Sequence, residues 1–109
     1  MNISLLRKKS IEMRKKIFNK FYLLKEGHPG SVMSVMDILI VLYYSGFVRI
    51  NKKKNKHIIK DDVIISKGHA TVGQYPILHD LNVISSNDWR NWGLNKKTCL
   101  KMFGNNHIP

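Results

Sequence analysis

The sequence predicts an α/β chain, mainly helical, with one buried parallel strand, and three patterns carry that expectation. Ile3, Leu6, Met13, Ile17, Phe21 and Leu24 recur at steps of three, four or seven, the spacing of one helix face. The stretch 34–45 is apolar on nearly all sides, as in a helix that must be buried in a larger core or against another subunit. Val63-Ile64-Ile65 is a short β-branched run followed by a glycine turn and a further helical stretch.

In chain order, the first helix is expected over residues 4–25, with Lys8, Lys9, Lys15, Lys16 and Lys20 on its other faces. Gly27 and Pro29 should stop it, since glycine favours a left-handed cap and proline cannot extend the hydrogen-bond ladder. His28 is thereby expected on a tight turn. Ser31 or Ser34 can cap the second helix, with Asp37 three residues after Ser34 completing a capping-box-like pair. The lysine-rich run 51–57 reads as a solvated loop between elements.

Strand 63–65 then leads through Ser66-Lys67-Gly68-His69 into a third helix over 70–81, which Pro76 either kinks or enters in its first turn. Strand, glycine turn and helix together present backbone N–H groups to a phosphate. Ser85-Ser86-Asn87-Asp88 offers a further cap for a short helix with Trp89 and Trp92, ending near Gly93, and the remaining tail reads as loop.

Composition narrows the classes of function. The 109 residues suffice for one modest core, and the formal charge of +12 would suit an anionic partner such as nucleic acid. Lysine supplies fifteen of the nineteen basic residues, and thirteen isoleucines and ten asparagines accompany them. That bias is what AT-rich coding produces, so nucleic-acid binding is not expected. Cys99 is alone, which excludes an intrachain disulfide and fits a reducing cytoplasm. The longest apolar run, 38–44, is far shorter than the roughly twenty residues of a membrane helix.

Two histidines stand beside glycines that let a backbone approach a ligand closely: Glu26-Gly27-His28-Pro29-Gly30-Ser31 and Ile65-Ser66-Lys67-Gly68-His69-Ala70. With Ser34 and Asp37 after the first motif and the strand-like run before the second, the order and spacing from about residue 5 to residue 109 resemble the start of a transketolase. The resemblance implies the N-terminal fragment of a thiamine-diphosphate-binding fold, with residues 1–109 an incomplete domain.

By the same resemblance, His69 would contact the diphosphate of thiamine diphosphate, and His28 would lie beside the reacting centre, where a near-neutral imidazole can bind a sugar hydroxyl and assist proton transfer. Lys67, Ser31, Asp37 and Ser66 read as turn or helix residues, and His57 and His79 as incidental. No further GHP segment follows residue 30, and His107 is read as the variable residue two before a proline-glycine turn.

The implied reaction is transfer of a two-carbon ketol unit between sugar phosphates by a cytoplasmic dimer of the pentose phosphate type. The family's glycine-aspartate-glycine segment that ligates Mg2+ is absent from the chain. The expectation is therefore an N-terminal segment, inactive alone, that needs the remaining transketolase segment or a second subunit. Two other classes remain open: a lysine-rich protein binding nucleic acid or another anion, and a non-catalytic remnant.

Overall fold

The computed structural model describes residues 2–25, 29–54, 57–66 and 68–91, the side chain of His69 excepted. Helix α1, Ile3–Leu24, begins where the Asn2 side chain accepts a hydrogen bond from the Leu5 amide at 3.0 Å. It ends on Lys25, whose φ of 56° is left-handed and whose N–H reaches the carbonyls of Phe21 and Tyr22. The helix thus ends within one residue of the expected boundary, on a lysine cap, and Gly27 lies outside the described residues. Met13, Ile17 and Phe21 from the expected face are buried, Leu6 and Leu24 pack at its edge, and Ile3 is exposed.

Helix α2, Pro29–Tyr44, starts five residues before the expected boundary. Proline has no N–H to leave unpaired in a first turn, and its fixed φ already suits the helix. Ser34 and Asp37 consequently lie inside the helix and form no capping box. The Ser34 hydroxyl donates to the Ser31 carbonyl at 3.0 Å, while Asp37 accepts from Ser10 at 2.7 Å and pairs with Arg14 at 2.8 Å. The helix is not buried all round. Val32, Met36, Leu39, Ile40 and Tyr43 face the core, but Ile38 is 62% exposed.

After a turn through Gly46, whose φ is +85°, strands β1, Ile50–Asn51, and β2, Ile58–Ile59, pair antiparallel with Ile50 opposite Ile59. The hairpin brings the lysine run 52–54 to the surface. The buried parallel strand expected at 63–65 does not form among the described residues. The segment has no regular secondary structure, with Val63 and Ile65 half-buried and Ile64 85% exposed, and it has no strand partner there. A parallel pair needs a second strand brought alongside by a crossover of a dozen or more residues, and β1 and β2 pair only with each other.

The expected third helix is divided. A 3-10 turn, Gly68–Gly73, passes into α3, Gln74–Asp80, with Pro76 in the first turn, where amides lack helical partners in any case. Helix α4, Ser86–Asn91, is capped as expected by the Ser85 hydroxyl, which accepts from the Asp88 amide at 3.0 Å. No described helix is long and apolar enough to cross a membrane.

The core lies between α1, α2 and α3 and centres on Ile17, Met36, Ile40, Ile77 and Leu78. Polar ties join the same helices. Asp80 accepts from Lys9 of α1 at 2.9 Å and from the Tyr44 hydroxyl of α2, and the Lys9 ammonium stands 5.4 Å from the centre of the Tyr44 ring. Tyr43 donates to the buried Gln74 side chain. Burial works against the Asp80 carboxylate, but Tyr44 and Lys9 outweigh it and hold the group below the usual carboxylate range.

Core and polar ties can each be probed by substitution. Ile17→Ala should cost about 2–5 kcal/mol by leaving a cavity, whereas Ile38→Thr should stay within about 0.5 kcal/mol; urea unfolding of the chain compares them, and equal losses would mean that α2 has the other face inward. Asp80→Asn should cost about 1–3 kcal/mol by orphaning Lys9 and Tyr44. Because the folded carboxylate titrates below its unfolded value of about 4, its contribution is complete above that value and fades as pH falls through the lower folded one. The wild-type advantage over Asp80→Asn should shrink over that acid range.

Candidate diphosphate-facing site

The two histidine motifs are placed unequally by the structure. His28, the expected catalytic residue, lies outside the described residues, as do Lys67, Trp92, Cys99 and His107. His69, the expected cofactor-binding residue, has its backbone in the 3-10 turn. What can be compared is the backbone that carries each motif. Pro29 and Gly30 form the first residues of α2, and the 3-10 turn packs against the same helix.

One glycine makes that packing specific. A Cβ on Gly73 would stand 3.2 Å from Cγ1 of Val32 and 3.4 Å from Cδ1 of Leu39, so the glycine lets the turn lie directly on α2. Val32 is one helical turn from Pro29 and Leu39 two turns further on, so the C-terminal end of the turn bearing His69 lies along the middle of the helix that follows His28. Gly30 is different: among the described residues nothing beyond its own helix stands within 4 Å of a Cβ built there. Packing requires glycine at 73 and does not require it at 30.

The approach to the second motif is fixed by an ion pair. Arg49 donates to both oxygens of Asp61, with its guanidinium 2.7 Å from Oδ1 and its own backbone N–H 2.7 Å from Oδ2. The Arg49 side chain, with its backbone N–H next, holds the Asp61 carboxyl down at about 2. Arg49 is exposed and Asp61 half-buried at the surface, so the pair sets the path of the chain entering 62–66 more than it adds stability. On α2, Arg14 and then Ser10 hold Asp37 below the usual range, in keeping with a helix-tying role for it.

The materials for a diphosphate are backbone amides of a glycine-containing turn and the imidazole in the sequence at 69. Among the described residues no group of three or more His, Cys, Asp or Glu side chains could hold a metal ion.

A second cluster was not legible as a site. His79 stacks on Trp89 at 5.6 Å and 7°, and its Nε2 lies 3.0 Å from the Ser86 hydroxyl. The ammonium groups of Lys16 and Lys20 stand 5.0 and 5.4 Å from the centre of the Trp89 ring. No sequence spacing joins residues 16, 20, 79 and 89; only the packing of α1, α3 and α4 does.

Comparison with known proteins accords with the paired motifs. Residues 10–96 match the family described as transketolase, thiamine diphosphate binding domain. Over 85 residues the chain is 31% identical to an apulose-4-phosphate transketolase subunit of Phocaeicola vulgatus, covering 78% of this chain and 30% of that protein. Over 55 residues it is 36% identical to a transketolase of Nostoc sp., covering 50% of this chain and 8% of that protein. The match thus spans less than a third of either curated relative. No solved structure matches the chain. With the family match running through both histidine motifs, the chain belongs to the transketolase thiamine diphosphate binding domain family.

Proposed function

We propose that this chain supplies the N-terminal, diphosphate-facing part of a transketolase-type enzyme and is inactive without the rest of it. The observation that carries the reading is the seating of Gly73 on Val32, which sets the His69 turn beside the helix that follows His28. The family match through both motifs and the small share of each relative that is matched give further support.

In this reading His69 and the amides of its turn bind the diphosphate oxygens, and His28 binds a sugar hydroxyl and carries a proton to or from it. Thiamine diphosphate, when bound, supplies the chemistry that breaks and remakes a carbon–carbon bond, so that a two-carbon ketol unit passes between sugar phosphates. The Mg2+ ligands come from the remaining transketolase segment or second subunit, in a cytoplasmic dimer serving pentose phosphate chemistry. Nucleic acid is a weaker partner, because Lys9, Lys16 and Lys20 are engaged by groups inside the fold.

Reading the DNA downstream of the Pro109 codon and in neighbouring genes identifies the complementing segment. Calorimetry with thiamine diphosphate and Mg2+ should give no binding to this chain alone and binding once the complement is added. A complement that associates without creating a cofactor site would end the proposal. In the assembled enzyme, His69→Ala should weaken cofactor binding tenfold or more, about 1.4 kcal/mol. His28→Ala should lower kcat by about 10²-fold with cofactor affinity little changed.

The two glycines separate folding from binding. Gly73→Ala should cost about 1 kcal/mol because Val32 is too stiff at χ1 to move aside easily. Gly30→Ala should leave the chain as stable or add up to about 1 kcal/mol, yet weaken cofactor binding in the assembled enzyme. Thermal melts and calorimetry on both variants check this, and unchanged binding in Gly30→Ala would remove residue 30 from the site.

A further inference from the structure

Helix α4 has no buried residue of its own, so its attachment depends on few contacts. Trp89 is half-buried and meets the His79 ring in a nearly parallel stack. The Lys20 ammonium donates to the carbonyls of Trp89 and Arg90, at 2.8 and 3.0 Å, in the last turn of α4, where a cation suits the helix dipole. Lys16 donates to the Pro76 carbonyl at 3.3 Å and also stands over the Trp89 ring.

We propose that the His79–Trp89 stack is an acid-sensitive clasp, in which neutral His79 holds α4 on α1 and α3 and protonated His79 releases it. The Nδ1 atom of His79 is buried and has no hydrogen-bond partner among the described residues. In the neutral ring that atom can be the unprotonated nitrogen, with Nε2–H donating to Ser86. Protonation places an N–H on Nδ1 with no acceptor, a costly arrangement in a dry position. It also puts a third cation at a ring already faced by Lys16 and Lys20, which weakens the cation–π benefit of stacking an imidazolium there.

The groups around His79 do not offset that charge. Lys16 from α1 repels it. Asp80, its neighbour on α3, attracts it, but that carboxylate is already engaged by Lys9 and Tyr44, with Glu12 beside Lys9. On α4 itself, Arg90 is exposed, and the charges that act on the imidazole are those of Lys16 and Asp80, not of Asp88. Burial first, and Lys16 second, accordingly hold the folded imidazole below the ordinary histidine range. The unfolded ring binds protons more readily, so the clasp is complete above the unfolded value of about 6.5 and weakens as pH falls through it and the lower folded value.

The test is amide hydrogen exchange of the whole chain between about pH 7.5 and about pH 5, within the range where histidine changes charge. Protection factors corrected for intrinsic exchange are compared over 86–91 and in α1. Wild type should lose α4 protection several-fold on acidification, recover it on return to neutral pH, and keep α1 protected. His79→Phe retains an aromatic stack and every other histidine but cannot protonate, and should keep α4 protected throughout. If His79→Phe does not fold, His79→Gln replaces it, and its α4 protection should be low and independent of pH. Loss of α4 protection to the same degree in wild type and either variant, or no loss in wild type, overturns the proposal.

Discussion

The packing of this chain depends on one carboxylate shared by three helices. Asp80 sits at the C-terminal end of α3, where the helix dipole disfavours a negative charge by about 0.3–1 kcal/mol. It is tolerated because Lys9 of α1 and the Tyr44 hydroxyl of α2 both reach it, and because the Lys9 ammonium also rests over the Tyr44 ring. The lysine ammonium is held above its usual range by the hydrogen bond to Asp80, so the two partners shift in complementary directions. The register of α1 against α3 then follows, and with it the position of the 3-10 turn that α3 continues.

That register carries the proposed site. Once α3 is fixed, Gly73 at its N-terminal edge must lie on Val32 and Leu39, and no larger residue can occupy the contact without displacing a side chain of α2. The two histidine motifs are about forty residues apart in sequence, yet the elements carrying them adjoin through this contact. The buried Tyr43–Gln74 hydrogen bond ties the residue after Gly73 to the same helix. A turn held at its C-terminal end in this way has less conformational freedom left to lose.

How much of this was legible depends on the type of signal. The apolar face of α1 was, because a repeat sustained over six turns survives any error at the ends. The start of α2 was not, since a proline that stops one helix is also the best residue to open the next. A start placed later makes Ser34 and Asp37 look like a cap, although Asp37 is a bridge to Arg14 and Ser10 of another helix. Val63-Ile64-Ile65 has the composition of a buried strand, but composition cannot supply the neighbour that a strand needs. The paired histidine motifs were legible as a family resemblance; the contact between α2, which follows the first, and the 3-10 turn became visible only in the packing. The His79–Trp89 cluster was invisible, because no periodicity links four residues on three elements.

The distribution of lysine also changes the meaning of the net charge. A formal +12 spread uniformly would describe an anion-binding surface. In the fold, Lys20 is buried with its ammonium on the carbonyls of Trp89 and Arg90, Lys16 lies against Trp89 and the Pro76 carbonyl, and Lys9 is taken up by Asp80. Each of these side chains covers apolar surface with its methylene stem while its ammonium satisfies a helix end or a carboxylate. Burial pulls the Lys16 ammonium below its usual range, the cost of this arrangement when no carboxylate is in contact. Three lysines of α1 thus act as structural cations joining it to α3 and α4, and the exposed lysines 52–54 of the hairpin are a separate population. Among the described residues, a partner sensing the surface meets Lys8, Lys15, Lys25, Lys60 and lysines 52–54 more readily than these three, so the formal charge overstates the field available to attract an anion.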